Sequence, residues 1–131
     1  MRVLLTAFWA LPLWALPPCG KTPVYRPCDI ELEAPGASWS TVVWAEARSP
    51  EFKTFKLPAF WAGGSKMVVR VCPTEAGSWT YRLSGNVKEL DGRQGTFEAT
   101  PRDVDGFIMR ANVHHWRYTQ SKKAHLWMGD T

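Results

Sequence analysis

Beyond residue 21 the sequence has no segment of helical periodicity, and that absence sets the fold class. Apolar residues there alternate with polar ones instead of recurring every three or four positions, which excludes helical bundles and doubly wound α/β folds. The three cysteines and three histidines fall in no CxxC or Cys/His spacing, so a structural zinc site is excluded. His114 and His115 are adjacent and would point to opposite faces of a strand, where they cannot chelate one ion together. No motif calls for a cofactor. Charge of one sign is not concentrated either. Sixteen Lys and Arg against twelve Asp and Glu leave a net charge of +4, but the basic residues are scattered and Lys122-Lys123 is the only tight pair. Nucleic-acid binders gather their charge in a stripe, so this pattern reads as a solvated mixed-charge surface with no nucleic-acid partner. Internal repeats and low-complexity tracts are missing, and no apolar run is long enough to span a bilayer comfortably.

Tryptophan is what the chain has in excess, with eight in 131 residues. Such enrichment serves cores and interfaces first and sugar stacking second. The amino terminus has a direction of its own. Arg2 precedes the apolar stretch Val3–Leu11, Pro12 and Leu13-Trp14-Ala15-Leu16, the pattern of a secretory signal peptide over residues 1–18. A secreted or periplasmic protein is expected, with lipid anchoring at Cys19 as a rival reading that the preceding Pro17-Pro18 fits poorly. Export would allow Cys28 and Cys72 to form a disulfide within the domain; the alternative is that both are unpaired buried thiols. Spacing alone does not show whether their Cα atoms approach closely enough.

The alternation predicts about seven short strands. Val24–Glu33 has Ile30 and Leu32 inward against Asp29, Glu31 and Glu33 outward. Ser40–Arg48 sets Val42, Trp44 and Glu46 on one face and Val43, Ala45 and Ala47 on the other. Phe52–Leu57 is stopped by Pro58, and Phe60-Trp61-Ala62-Gly63-Gly64 reads as an aromatic turn. Lys66–Cys72 has Met67, Val69 and Val71 inward. Pro73–Gly77 is a turn leading to Ser78–Ser84, with Trp79, Tyr81 and Leu83 on one face, and Gly95–Thr100 has Phe97 inward. Strands of this length and spacing predict an immunoglobulin-like antiparallel β-sandwich over residues 22–105, with an open barrel as the runner-up. After Gly106 come two more extended pieces, Phe107–Arg110 and Trp116–Tyr118. A polar turn at Ser121–Lys123 follows, then the apolar run Ala124–Thr131, which reads as a buried strand ending on a carboxylate, Asp130.

Taken in order, these pieces resemble the bacterial domain of unknown function 5060. The resemblance rests on Val24-Tyr25-Arg26-Pro27 with Ile30–Glu33, Phe60-Trp61 before paired glycines, and Val69-Arg70-Val71 with Pro73, Glu75, Gly77, Trp79 and Tyr81. It continues through Leu90-Asp91-Gly92, Gly95-Thr96-Phe97 and Pro101, then Trp116-Arg117-Tyr118 and Met128–Thr131. Two stretches depart from the family pattern. Ala62-Gly63-Gly64-Ser65 stands where a Gly-Asp-Gly loop is usual, and residues 36–51 match poorly. The resemblance implies an immunoglobulin-like domain at the front of a secreted glycoside hydrolase, followed by an apiosidase-like (β/α)8 barrel. On that reading residues 106–131 are a linker hairpin and the first barrel strand, and the sequence is the front of a longer protein.

The resemblance further implies a non-catalytic accessory domain whose parent acts on polysaccharide with two carboxylates. Asp130 would then lie at the C-terminal end of the first barrel strand, facing the cleft, where it could hold a sugar hydroxyl or simply cap the following turn. A free-standing carbohydrate-binding or extracellular adhesion module is the alternative. For sugar binding, Trp39, Trp61 and Trp116 are the stacking candidates because each borders a turn; the bland rival is that these rings are buried at a joint between domains.

Overall fold

The computed structural model describes residues 18–128, and every regular element in that span is a β-strand. Residues 1–17, with most of the expected signal peptide, and residues 129–131, with Asp130, lie outside the described residues. Seven strands form one sheet. They are β1 (Lys21–Pro23), β2 (Cys28–Glu33), β3 (Val43–Arg48), β4 (Thr54–Gly63), β5 (Lys66–Val71), β6 (Gly77–Gly85) and β7 (Gln94–Thr100), in the order β1-β7-β6-β3-β4-β5-β2. Three short strands, β8 (Ile108–Arg110), β9 (Trp116–Tyr118) and β10 (Ala124–His125), form a second, antiparallel sheet in the order β10-β9-β8.

The larger sheet bends over on itself and nearly closes like a barrel, and β4 makes the bend. Thr54–Pro58 pair with β3, whereas Ala59–Gly63 pair with β5. Pro58 was expected to end a strand, yet β4 runs through it. The proline sits where the strand changes partner, the place where a missing N–H costs the ladder least. The following Phe60–Gly63 is accordingly strand, and only Gly64-Ser65 turn, with Gly63 and Gly64 both at positive φ.

The amino-terminal segment draws the two ends of this sheet together. Pro18 bridges to Asp29 of β2, the Cys19 N–H donates to the Asp29 carbonyl at 3.0 Å, and Lys21–Pro23 then run parallel to β7 against Glu98–Thr100. This pairing makes the sheet mixed where alternation had suggested purely antiparallel strands. Cys19 and Cys28 are joined by a disulfide, their Cα atoms 5.0 Å apart, and Cys72 is free. The candidate pair Cys28–Cys72 is thereby corrected. Backbone pairing carries residue 19 alongside the start of β2, while Cys72 lies just beyond the end of β5. A thiol engaged with Cys28 is also not free to carry a lipid.

Alternation filled the core much as the sequence implied. Ile30, Leu32, Val43, Ala45, Ala47, Met67, Val69, Val71, Leu83 and Phe97 are all buried. At the centre, Trp79 stacks between Phe55 and Phe97, with ring centroids 5.7 and 5.8 Å away, and its Nε1–H donates to the Glu75 carbonyl at 2.8 Å. That bond satisfies the one polar atom of an otherwise apolar side chain. Asp29, expected outward, is buried as well. Arg70 directly across the ladder grips both its carboxylate oxygens at 2.8 and 2.9 Å, which makes burial of the charge tolerable.

Candidate functional site

The small sheet is held to the large one through Tyr25. This residue has left-handed backbone at φ 59°, and its N–H donates to the Pro73 carbonyl. Its ring meets Phe107 edge-on at 5.1 Å, and its hydroxyl accepts from Gln120 Nε2 at 2.5 Å. Gly106 lets the chain turn into β8, with φ 85° and Thr119 and Gln120 packed where a side chain would stand. Asp105 fixes the same corner. A hydrogen bond from Ser121 and the charge of Lys123, 3.4 Å away, outweigh partial desolvation and hold its carboxyl below the ordinary range.

Register places Ile108, Arg110, Trp116, Tyr118 and His125 on one face of this sheet. The rings form a chain across it. His125 meets Tyr118 edge-on at 5.1 Å, its Nδ1 lying 2.9 Å from the Tyr118 hydroxyl. Trp127 stands edge-on to His125 at 5.8 Å and tilts against Trp116 at 6.1 Å. Trp127 nonetheless remains 66% exposed, and Leu126 and Met128 on either side are exposed too. Among the described residues the expected buried terminal strand is only two residues of strand, Ala124-His125, and it is not buried. Arg117 adds a polar mark. Its Nε is buried with no hydrogen-bond partner among the described residues. The rings thus present an exposed apolar face on one side of the small sheet, with Arg117 on the other.

The three tryptophans proposed from sequence are not brought together, and among the described residues no aromatic contact links them. Trp39 stands 86% exposed in the loop between β2 and β3. Trp61 lies at the end of β4 and donates Nε1–H to the Gly64 carbonyl at 2.9 Å, which ties down the β4–β5 turn. Trp116 alone belongs to the aromatic face. Sequence reasoning missed Tyr118, His125 and Trp127; the signal available was their period-two spacing around the Ser121–Lys123 turn. No group of three or more metal-ligating side chains occurs among the described residues, nor any helix long and apolar enough to cross a membrane. Cys72 lines a small apolar cavity of about 260 Å³ with Phe55, Leu57, Val71, Trp79 and Phe107, and burial pushes its thiol pKa up.

With this geometry in view, solved structures of similar fold can be compared, and one of those that match shares the fold alone. It is the crystal structure of a "putative glycoside hydrolase" from Bacteroides vulgatus, superposing with a TM-score of 0.72 at 19% identity. The match covers 81% of this chain but 21% of the neighbour, so the chain spans about a fifth of that protein's length. At that identity the shared property is the fold. No family model matches the chain, and no curated protein matches it.

Proposed function

We propose that this chain is the non-catalytic, immunoglobulin-like front domain of a secreted glycoside hydrolase, and that the aromatic face of the small sheet is its joint to a catalytic barrel. The observation that carries the reading is the superposition of four fifths of this chain on one fifth of a much longer protein described as a glycoside hydrolase. The resemblance of its ordered motifs to domain of unknown function 5060 points the same way. Placement supports the joint. The exposed rings of Trp116 and Trp127 lie on the carboxy-terminal sheet, from which a following domain would continue.

The Cys19–Cys28 disulfide fits an oxidising compartment, in keeping with a secreted or periplasmic protein. On this reading the two carboxylates of glycoside hydrolysis would lie on the barrel. Asp130, at the end of the presumed first barrel strand, keeps its proposed role of contacting a sugar hydroxyl at the cleft.

The test is to extend expression through the DNA following Thr131 and assay both products for release of reducing sugar from a panel of plant and bacterial polysaccharides. The extended product should hydrolyse at least one substrate and the 131-residue chain none. A stop codon directly after Thr131, or hydrolysis by the short chain, overturns the reading.

A further inference from the structure

The outer face of the large sheet holds a groove that the joint does not use. Register across β4, β3, β6 and β7 sets Lys56, Glu46, Arg82 and Gln94 opposite one another in one row, with Thr54, Arg48, Thr80 and Thr96 in the next. All eight are exposed, and all but Lys56 line an open cavity of about 450 Å³. The charges in it are held apart. Glu46 stands between Lys56 and Arg82 yet forms an ion pair with neither among the described residues.

Elsewhere on the same sheet, facing opposite charges do pair. Asp29 binds Arg70 directly across its ladder at 2.8 Å, and Glu31 binds Lys66, its diagonal neighbour, at 3.0 Å. In the groove the cations are drawn onto rings instead, Lys56 over Trp44 at 5.0 Å and Arg48 over Phe52 at 4.9 Å. Arg82, Gln94, Thr80 and Thr96 likewise make no side-chain hydrogen bond among the described residues, so a full set of donors and acceptors is left facing the open space.

We propose that this groove binds an acidic glycan, a chain of sugars carrying carboxylates. Two arginines, Arg48 and Arg82, against one anion, Glu46, favour a negatively charged ligand, and the Arg82 guanidinium matches a uronate carboxylate in two parallel hydrogen bonds. Glu46 then accepts from ring hydroxyls, Gln94 both accepts and donates, and the half-buried Trp44 offers an apolar border for a sugar face. A nucleic-acid backbone is disfavoured because Glu46 stands in the middle of the row and would face the phosphates. A protein partner is disfavoured because the groove has no apolar centre. The choice of a glycan over another carboxylate ligand rests on the glycosidase reading above; the arrangement of the groove does not.

The experiment is affinity electrophoresis of the whole 131-residue chain through gels containing polygalacturonate or a neutral β-glucan, with a gel-shift on a short DNA duplex beside it. Polygalacturonate should retard the protein, less so as salt is added, and neutral glucan should not. Arg82→Ala should weaken the retardation about tenfold, the loss of one good charge-assisted contact, and Glu46→Gln should alter it, whereas Trp127→Ala should leave it unchanged. Near-ultraviolet circular dichroism, which reads the Trp79 environment, confirms that these surface variants remain folded. Absence of retardation, retardation untouched by Arg82→Ala, or equal binding of the DNA duplex through Arg82 overturns the proposal. None of these results bears on the joint, which is tested through the downstream sequence.

Discussion

Removing the Cys19–Cys28 disulfide should open the near-closed sheet at its seam. The bond closes a short loop, with its cysteines nine residues apart in sequence. Chain-entropy reasoning gives about 2.6 kcal/mol at 25 °C for a loop of that size. In a domain of this length each kcal/mol is worth roughly 4–8 °C in Tm, so the loss should be on the order of 10–20 °C. Cys19→Ala is the appropriate change, because Cys28 is fully buried and altering it would confound the bond with core packing. The fall should be larger than the loop alone explains if the Cys19 N–H to Asp29 bond and the Lys21–Pro23 pairing with β7 loosen with it. Calorimetry of the oxidised protein and the variant measures the difference, and peptide mapping under non-reducing conditions identifies the bond. A Tm within 2 °C of the parent, or a Cys28–Cys72 peptide in the map, would refute the reasoning.

Three further outcomes follow from the same geometry. Trp79→Ala should cost about 4 kcal/mol in urea unfolding, because it removes the ring between Phe55 and Phe97 and orphans the Glu75 carbonyl; a cost below 2 kcal/mol would mean the core is built differently. Glu75 is pushed up by desolvation, but bonds from Lys53, Ser49 and the Glu51 N–H together hold its carboxyl below the ordinary range. Its contribution to stability is therefore whole above about pH 4.3 and is lost as pH falls through the lowered folded value. Glu75→Gln should flatten the acid limb of the stability curve below about pH 4.3, and an unchanged limb would count against the pair. Cys72, its thiol raised by burial, should alkylate at pH 8 at least tenfold more slowly in the native protein than in urea; equal rates would place it outside the cavity.

Legibility in the sequence followed the strength of each local pattern. β5 and β6 were plain because Met67, Val69, Val71, Trp79 and Leu83 alternate cleanly between turn residues, and those side chains do form the core. β1 was invisible. Three residues of strand carry no periodicity, and the segment is fixed by the Cys19–Cys28 disulfide and by the pairing of Lys21–Pro23 with β7, neither of which spacing encodes. Pro58 misled for a specific reason. Proline marks the end of a ladder, and here one ladder does end, but β4 continues into another.

The candidate site divided along similar lines. Trp116 could be picked out because it borders a turn, but its partner Trp127 looked like core from its neighbours Leu126 and Met128. An apolar run looks the same in sequence whether its cover is within the chain or beyond it. The polar groove left no sequence signal, since its two rows assemble from four strands spread over residues 46–96, each contributing side chains typical of a solvated face.

The most direct test of the central reading is hydrogen–deuterium exchange with side-chain footprinting over residues 107–128, compared between the chain alone and the chain extended by its downstream sequence. If the small sheet is a joint, Trp116, Trp127 and Met128 should label readily in the short form and become protected in the long one, while the Trp39 loop stays equally exposed in both. Equal labelling of Trp116 and Trp127 in the two forms would contradict the account.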